Sequence, residues 1–239
     1  LPSPILTEGE SVTPAYEPVD EQGNPAARYD MLESVSFAFL LALEALTPAQ
    51  RAVLLLRDVF DYSVRETAVA LAMSEANVKT THARARRAMI GYDQTRAKTS
   101  PALQEHARQM LERFLHCLSQ NDVAGVEALL ARDVVALSDG GGEFFAARVP
   151  VKGPAKVAQF YLYLTKKIDA ATVRIQPLWL NGTAAMLFDF GPQSARYEPR
   201  YAPRSVILLD IRATGEIGCV YSVLASRKLA ALKNLASET

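Results

Sequence analysis

The periodic pattern of apolar positions along this chain breaks near residue 100, and the break divides it in two. From Met31 they recur at helical spacing, at Leu32, Val35, Phe39, Leu43 and Leu46. Thr47-Pro48-Ala49-Gln50 then reads as a helix start. Thr47 can cap, Pro48 suits the first helical position, and Gln50 can reach back to the cap. That helix is expected to run to about residue 60 with Val53, Leu56 and Phe60 inward. Ser63-Val64-Arg65-Glu66 is a second capping box, opening a short helix to about residue 73. Ser74 caps a fourth helix expected to continue to about residue 92.

Polar residues and Pro101 break the pattern over 95–101, and the grammar then changes. Leu103, Met110, Leu111, Phe114 and Leu118 keep helical spacing, a capped short helix follows over 121–130, and 134–137 reads as a strand. Residues 154–168 are amphipathic, with Val157, Phe160, Tyr161, Leu164 and Ile168 on one side. Strand-like runs occupy 172–180, 183–190, 204–213 and 216–223, and a closing helix is expected over 226–235. Asn181-Gly182 is a two-residue hairpin signal, and Thr214-Gly215 turns the last pair. This order predicts an α+β domain with helices on one face of a curved sheet. Ahead of both patterns, residues 1–29 carry Pro2, Pro4, Pro14, Pro18 and Pro25 with no sustained period, as a linker or an extended arm laid over something else would. The expected division is therefore 1–29 linker, 30–97 helical domain and 102–239 α+β domain.

Composition adds class and compartment. With 49% hydrophobic and 22% charged residues the chain reads as globular. No apolar run approaches the roughly 18 residues that cross a bilayer, and no leader is evident, so a cytoplasmic protein without a membrane partner is expected. Cys117 and Cys219 read as two buried, reduced thiols. His82, His106 and His116 stand apart from any cysteine cluster, so neither a metal nor a cofactor is expected. The chain opens on Leu1, which suggests a segment of a longer protein.

Net charge is zero, but its distribution is uneven. Glu8, Glu10, Glu17, Asp20, Glu21 and Asp30 face the single base Arg28 in the first thirty residues. Lys79, Arg84, Arg86, Arg87, Arg96 and Lys98 face only Asp93 over 79–98. A basic helix beside an acidic arm suits a DNA reader with a built-in competitor, or else an ordinary solvated helix face.

The two helices before and after Ser74 form a helix-turn-helix candidate. Val78, Ala85 and Met89 share the stripe expected to pack, while Asn77, Thr80, Thr81, Arg84 and Arg87 lie opposite it. Such amides, hydroxyls and guanidiniums can bond base edges. Lys79 and Arg86 are assigned to phosphates. Glu75 could accept from a cytosine amino group, although a helix N-terminus favours an acid there anyway. His82, one turn after Val78, is read as a partly buried structural histidine.

Leu46-Thr47-Pro48-Ala49-Gln50-Arg51, Asp58-Val59-Phe60-Asp61-Tyr62-Ser63, Glu66-Thr67-Ala68, Asn77-Val78-Lys79 and Arg84-Ala85-Arg86-Arg87-Ala88 together resemble region 4 of the extracytoplasmic-function (ECF) sigma factors. The resemblance covers roughly residues 30–95. It implies recognition of the promoter −35 element, with Lys79, Thr80 and Arg84 at the family's DNA-contacting positions, and contact with core RNA polymerase through the β flap and β′.

The second half resembles the SnoaL-like, nuclear transport factor 2-like cone that one ECF group fuses behind region 4. That group's Asp-Gly-Gly-Gly motif stands here as Asp139-Gly140-Gly141-Gly142, followed by Ala147-Arg148 and Val151-Lys152-Gly153. Glycines after an acid permit positive φ and close approach, so the motif reads either as a docking loop or as a flexible connection between strands. The group's linker motif, an aromatic followed by Leu-Pro-Glu-Pro, is matched only by Leu1-Pro2-Ser3-Pro4, with Ser3 at the Glu position. The resemblance implies a cone that modulates sigma activity by restraining region 2, region 4 or both and affecting polymerase engagement, with region 2 and the linker as intramolecular partners, and region 2 is absent from this sequence.

Two other readings remain open at this point. A ligand-sensing helix-turn-helix regulator could use Trp179, Phe188 and Phe190 to line a cavity, although core packing explains the same residues. A cyclase or isomerase cone would need Asp189 or Asp210 in a pocket beside Tyr161, Tyr163 or Tyr221. Against that, an acid in a strand more often points outward or pairs with Arg174, Arg204 or Arg212. No catalytic residue is assigned.

Overall fold

A computed structural model describes residues 1–6, 36–95, 101–167, 172–190 and 200–232. Leu32, Val35 and the acidic segment lie outside them. The chain forms two compact units, one of Ser11–Lys98 and the other of Leu1–Glu10 with Thr99–Thr239.

The first unit holds α1 (Phe37–Leu43), α2 (Pro48–Asp58), α3 (Val64–Ala70), α4 (Glu75–Ala88) and α5 (Ile90–Thr95). Both capping boxes form: Thr47 with Gln50 opens α2, and Ser63 with Glu66 opens α3. Each side-chain cap satisfies an otherwise orphaned N–H and stabilises its helix by about 1 kcal/mol. Phe39, Leu43, Leu46, Leu54, Val59, Ala85 and Met89 make one core cluster, and Val53, Ala68 and Val78 a second.

Two expectations fail here. Phe60 is 51% exposed, because α2 ends at Asp58 and the helical phase that would have turned residue 60 inward stops short of it. The fourth helix stops at Ala88, with buried Met89 as its cap, and resumes as α5. Gly91, a poor helix former, lies just past that break.

The turn between α3 and α4 is a Schellman closure. Met73 N–H donates to Ala68 O at 2.9 Å and Ala72 N–H to Val69 O at 3.3 Å. It places Ala72 in the left-handed region at φ +51, where only glycine escapes a Cβ penalty.

The second unit contains α6 (Pro101–Ser119), α7 (Val123–Leu129), β1 (Leu130–Asp139), β2 (Val151–Lys152), α8 (Pro154–Thr165), β3 (Arg174–Leu180), β4 (Thr183–Asp189), β5 (Arg204–Ile211) and β6 (Ile217–Val223). The sheet order is β2-β1-β6-β5-β4-β3. Asn181 and Gly182 both take positive φ, as the two-residue β3–β4 turn requires. Phe114, Val126, Tyr161, Leu209, Ile211 and Val220 belong to the core between the helices and one sheet face. The fold class is the expected one, an all-helical domain followed by an α+β cone.

Three features of the cone were not expected. β1 pairs with β6 in parallel, while β2, not foreseen as a strand, pairs antiparallel with β1. The second sheet face is buried as well, through Val206, Leu208, Tyr221 and Val223. The chain ends reach that face: Lys228 bonds Asp139, and Arg204 Nη1 bonds Leu232 O at 3.5 Å. The expected closing helix is, as far as residue 232, a set of turns ending in a 3₁₀ turn.

Ala72→Gly should raise the stability of the helical unit by about 1 kcal/mol through relief of the left-handed backbone. Chemical unfolding followed by far-UV circular dichroism measures it, and a destabilised variant would refute this account of the turn.

Candidate nucleic-acid interface

Helix α4 separates its two faces by period. Val78, Ala85 and Met89 are buried, as the stripe predicts, while Asn77, Lys79, Thr80, Arg84, Arg86 and Arg87 are exposed and Thr81 is half-buried. Ser74 Oγ accepts from Asn77 N–H at 3.2 Å and fixes the helix start. The short side chains are already oriented. Thr81 Oγ1 donates to Asn77 Oδ1 at 3.3 Å, and Thr80 Oγ1 donates to Ala76 O at 3.0 Å. Lys79, Arg84 and Arg87 add positive charge to the same helix, which is the composition a groove-reading surface requires.

Arg86 departs from its expected place among the phosphate contacts. Its Nε and Nη2 donate to Asp58 Oδ2 and Oδ1 at 3.1 and 2.7 Å. Asp58 is fully buried, and His82 Nε2 lies 2.7 Å from its Oδ1. Burial alone would raise the Asp58 carboxyl pKa, but the hydrogen bonds and charges of His82 and Arg86 outweigh it and hold the pKa below its ordinary value. The structural reading of His82 therefore holds. Asp58 itself was missed, because an acid near a helix end reads as solvated until its partners are brought together in space.

The Asp139-Gly140-Gly141-Gly142 loop is a second organised site. Asp139 Oδ1 accepts from Gly141 N–H at 2.9 Å, and Oδ2 receives Lys228 Nζ at 2.6 Å and the Leu1 ammonium at 3.0 Å. Burial raises the Asp139 pKa, and Lys228 and the Gly141 N–H act to lower it. A Cβ on Gly140 would stand 2.4 Å from Phe144 O, and one on Gly141 would stand 2.8 Å from Ala225 Cβ. Gly141 and Gly142 also take positive φ. These glycines thus permit close approach, and Ala225 makes that approach at Gly141.

Residues 1–6 are tied to the cone at both ends. Lys228 Nζ also donates to Leu1 O. At the other end Ile5 N–H donates to Asn181 Oδ1 at 3.1 Å, Asn181 N–H donates to Ile5 O at 2.8 Å, and Leu6 bridges Leu180. Pro4 is buried between these ties, whereas Ser3 is exposed. Asn181 was recognised from the sequence as a turn residue; its capture of the arm was not.

Among the described residues the candidates of the catalytic alternative are spread over both sheet faces, with Asp210, whose carboxyl burial pushes up, on the face that also carries Tyr221. Asp189 pairs with Arg204 at 2.8 Å. The Tyr161 hydroxyl is engaged by Ser222 at 2.8 Å inside the helix-side core. Asp210 pairs in register with Cys219, on the opposite sheet face from Leu209 and Val220 of that core. Tyr163 is exposed. Both cysteines are free thiols, and burial pushes the Cys219 thiol up to about 12. No helix among the described residues is long and apolar enough to cross a membrane.

Comparison with known proteins agrees with this architecture. Residues 36–89 match the family described as sigma-70, region 4. The chain is 30% identical over 167 residues to the ECF RNA polymerase sigma factor SigJ of Mycobacterium tuberculosis, covering 70% of this chain and 49% of that protein. It is 31% identical over 142 residues to SigG of the same organism, another ECF sigma factor, covering 56% of this chain and 37% of SigG. The chain thus spans about half the length of the first relative and less of the second. The crystal structure of M. tuberculosis SigJ aligns with a TM-score of 0.66 at 24% identity, covering 82% of this chain and 65% of that one. Residues 36–89 thus form a sigma-70 region 4, and over 70% of its length the chain is homologous to an ECF RNA polymerase sigma factor whose solved structure shares its order of helical unit and helix-and-sheet cone.

Proposed function

We propose that the helical unit reads the promoter −35 element and contacts core RNA polymerase through the β flap and β′, directing transcription initiation in the bacterial cytoplasm. The observation that carries this reading is the exposed face of α4, where Asn77, Lys79, Thr80, Arg84 and Arg87 stand clear of the packed stripe. Asn77, Thr80, Thr81 and Arg84 supply base-edge donors and acceptors, and Lys79 and Arg87 supply phosphate charge.

The cone, residues 102–239, modulates this activity through the loop at Asp139–Gly142 and the arm. The arm's two ties support this role, since a linker held on the cone restricts whatever the linker joins. Asp139, Gly140, Gly141 and Gly142 form the docking loop, and the linker and a region 2 are its intramolecular partners.

Arg84→Ala should weaken binding to the −35 element by roughly 1–3 kcal/mol and leave binding to unrelated duplex less affected. Fluorescence anisotropy on both DNAs separates the two, and an equal loss on each would make Arg84 a phosphate contact. Asn181→Gly keeps the positive-φ turn and removes the side-chain acceptor of the Ile5 N–H, so it should free the arm at that end and raise amide hydrogen exchange at Ile5 at least tenfold. In transcription assays with the complete gene product and core polymerase, the same substitution should alter output severalfold. Output identical to the parent despite a freed arm would remove the modulatory role.

A further inference from the structure

Resting on the promoter-reading role proposed above, we infer that Asp58, which touches no DNA in that reading, is the positioning residue that sets the angle of the recognition helix in the groove. The contacts holding α4 are of two kinds. Val78, Ala85 and Met89 pack into the unit's cores, and apolar contact is non-directional, so a helix held by it alone can roll about its axis. At a side-chain radius of about 5–6 Å, a roll of about 30° displaces a tip by roughly 3 Å. That equals a hydrogen-bond length, enough to take Asn77 or Arg84 off a base edge.

The Asp58 carboxylate resists such a roll because its bonds have direction. It is fully buried at the end of α2 and takes two donors from Arg86 at 2.7 and 3.1 Å, with His82 at 2.7 Å. His82 and Arg86 are four residues apart, so they leave α4 on one face and grip one carboxylate from two successive turns. A bidentate guanidinium fixes orientation as well as distance. Arg86 belongs to this clamp rather than to the phosphate-binding set.

The test uses the whole chain and the duplex that it enriches from a random library, compared with a scrambled duplex of equal length. Asp58→Asn keeps the shape and removes the charge. It should cut the preference for the selected duplex about tenfold, the weight of one base contact, while circular dichroism shows an intact helical fold. Arg86→Met should lower the preference similarly and leave the slope of log affinity against log salt unchanged. Arg87→Met, losing a phosphate contact, should reduce that slope by about 0.9.

A folded Asp58→Asn protein with undiminished preference overturns the inference and leaves promoter reading intact. So does an Arg86→Met slope reduced by about 0.9, which would return Arg86 to the phosphates. If Asp58→Asn does not fold, the Arg86→Met preference decides. If the parent chain enriches no sequence, promoter reading fails and the positioning role fails with it.

Discussion

A carboxylate removed from water must be met by opposite charge and hydrogen bonds, and in this protein one helix supplies both. Asp58 has no exposure, and α4 brings it His82 and Arg86. Removing one partner of a buried pair leaves an uncompensated charge, a loss of about 3–5 kcal/mol. Arg86 remains partly exposed, so its share of the pairing is the more solvent-screened one. The same commitment engages Arg86, one of the bases of α4, within the protein.

The cone depends on a different constraint, the neighbouring of its first and last strands. Parallel pairing of β1 with β6 brings Asp139, at the end of β1, level with Val223, at the end of β6. The chain leaving β6 therefore passes over the glycine loop, where Asp139 O accepts from both Leu224 and Ala225 N–H at 2.8 and 3.1 Å. Lys228 follows within one turn and reaches the Asp139 side chain. The loop is thus organised by strands remote in sequence, and its glycines are required by what passes over them.

Local signals were legible and remote pairings were not. Thr47, Ser63 and Ser74 announced their helices because caps act within three residues, and Asn181-Gly182 announced a hairpin because its turn admits few alternatives. The stripe Val78, Ala85, Met89 was readable because burial follows helical period. Phe60 was misread because periodicity carries no information about where a helix stops. The pairing of Arg86 with Asp58 was not legible because the two lie 28 residues apart and sequence charge does not reveal pairing. The second buried sheet face was invisible for a related reason. The residues that reach it come from the two chain ends, including a proline-rich arm with no period of its own.

The arm's attachment is best judged by magnitude. The described ties at Ile5 and Leu6 precede a helical unit that returns to the cone at α6, so docking closes a loop of about 95 residues, costing roughly 4–5 kcal/mol for a fully flexible chain. A folded unit within the loop shortens its flexible length and lowers that cost. Against it stand a backbone and a side-chain hydrogen bond at Asn181, each contributing about 0.5–1.5 kcal/mol, and a charge-assisted bond from Lys228 to Leu1 O, contributing about 1.5–3 kcal/mol. Gain and cost are therefore of similar size. The Asp58 clamp inside the helical unit, by contrast, spans 28 residues from Asp58 to Arg86 and closes only a short loop. The two sites differ in this respect because of how much chain each must fold back, more than because of which residues they use.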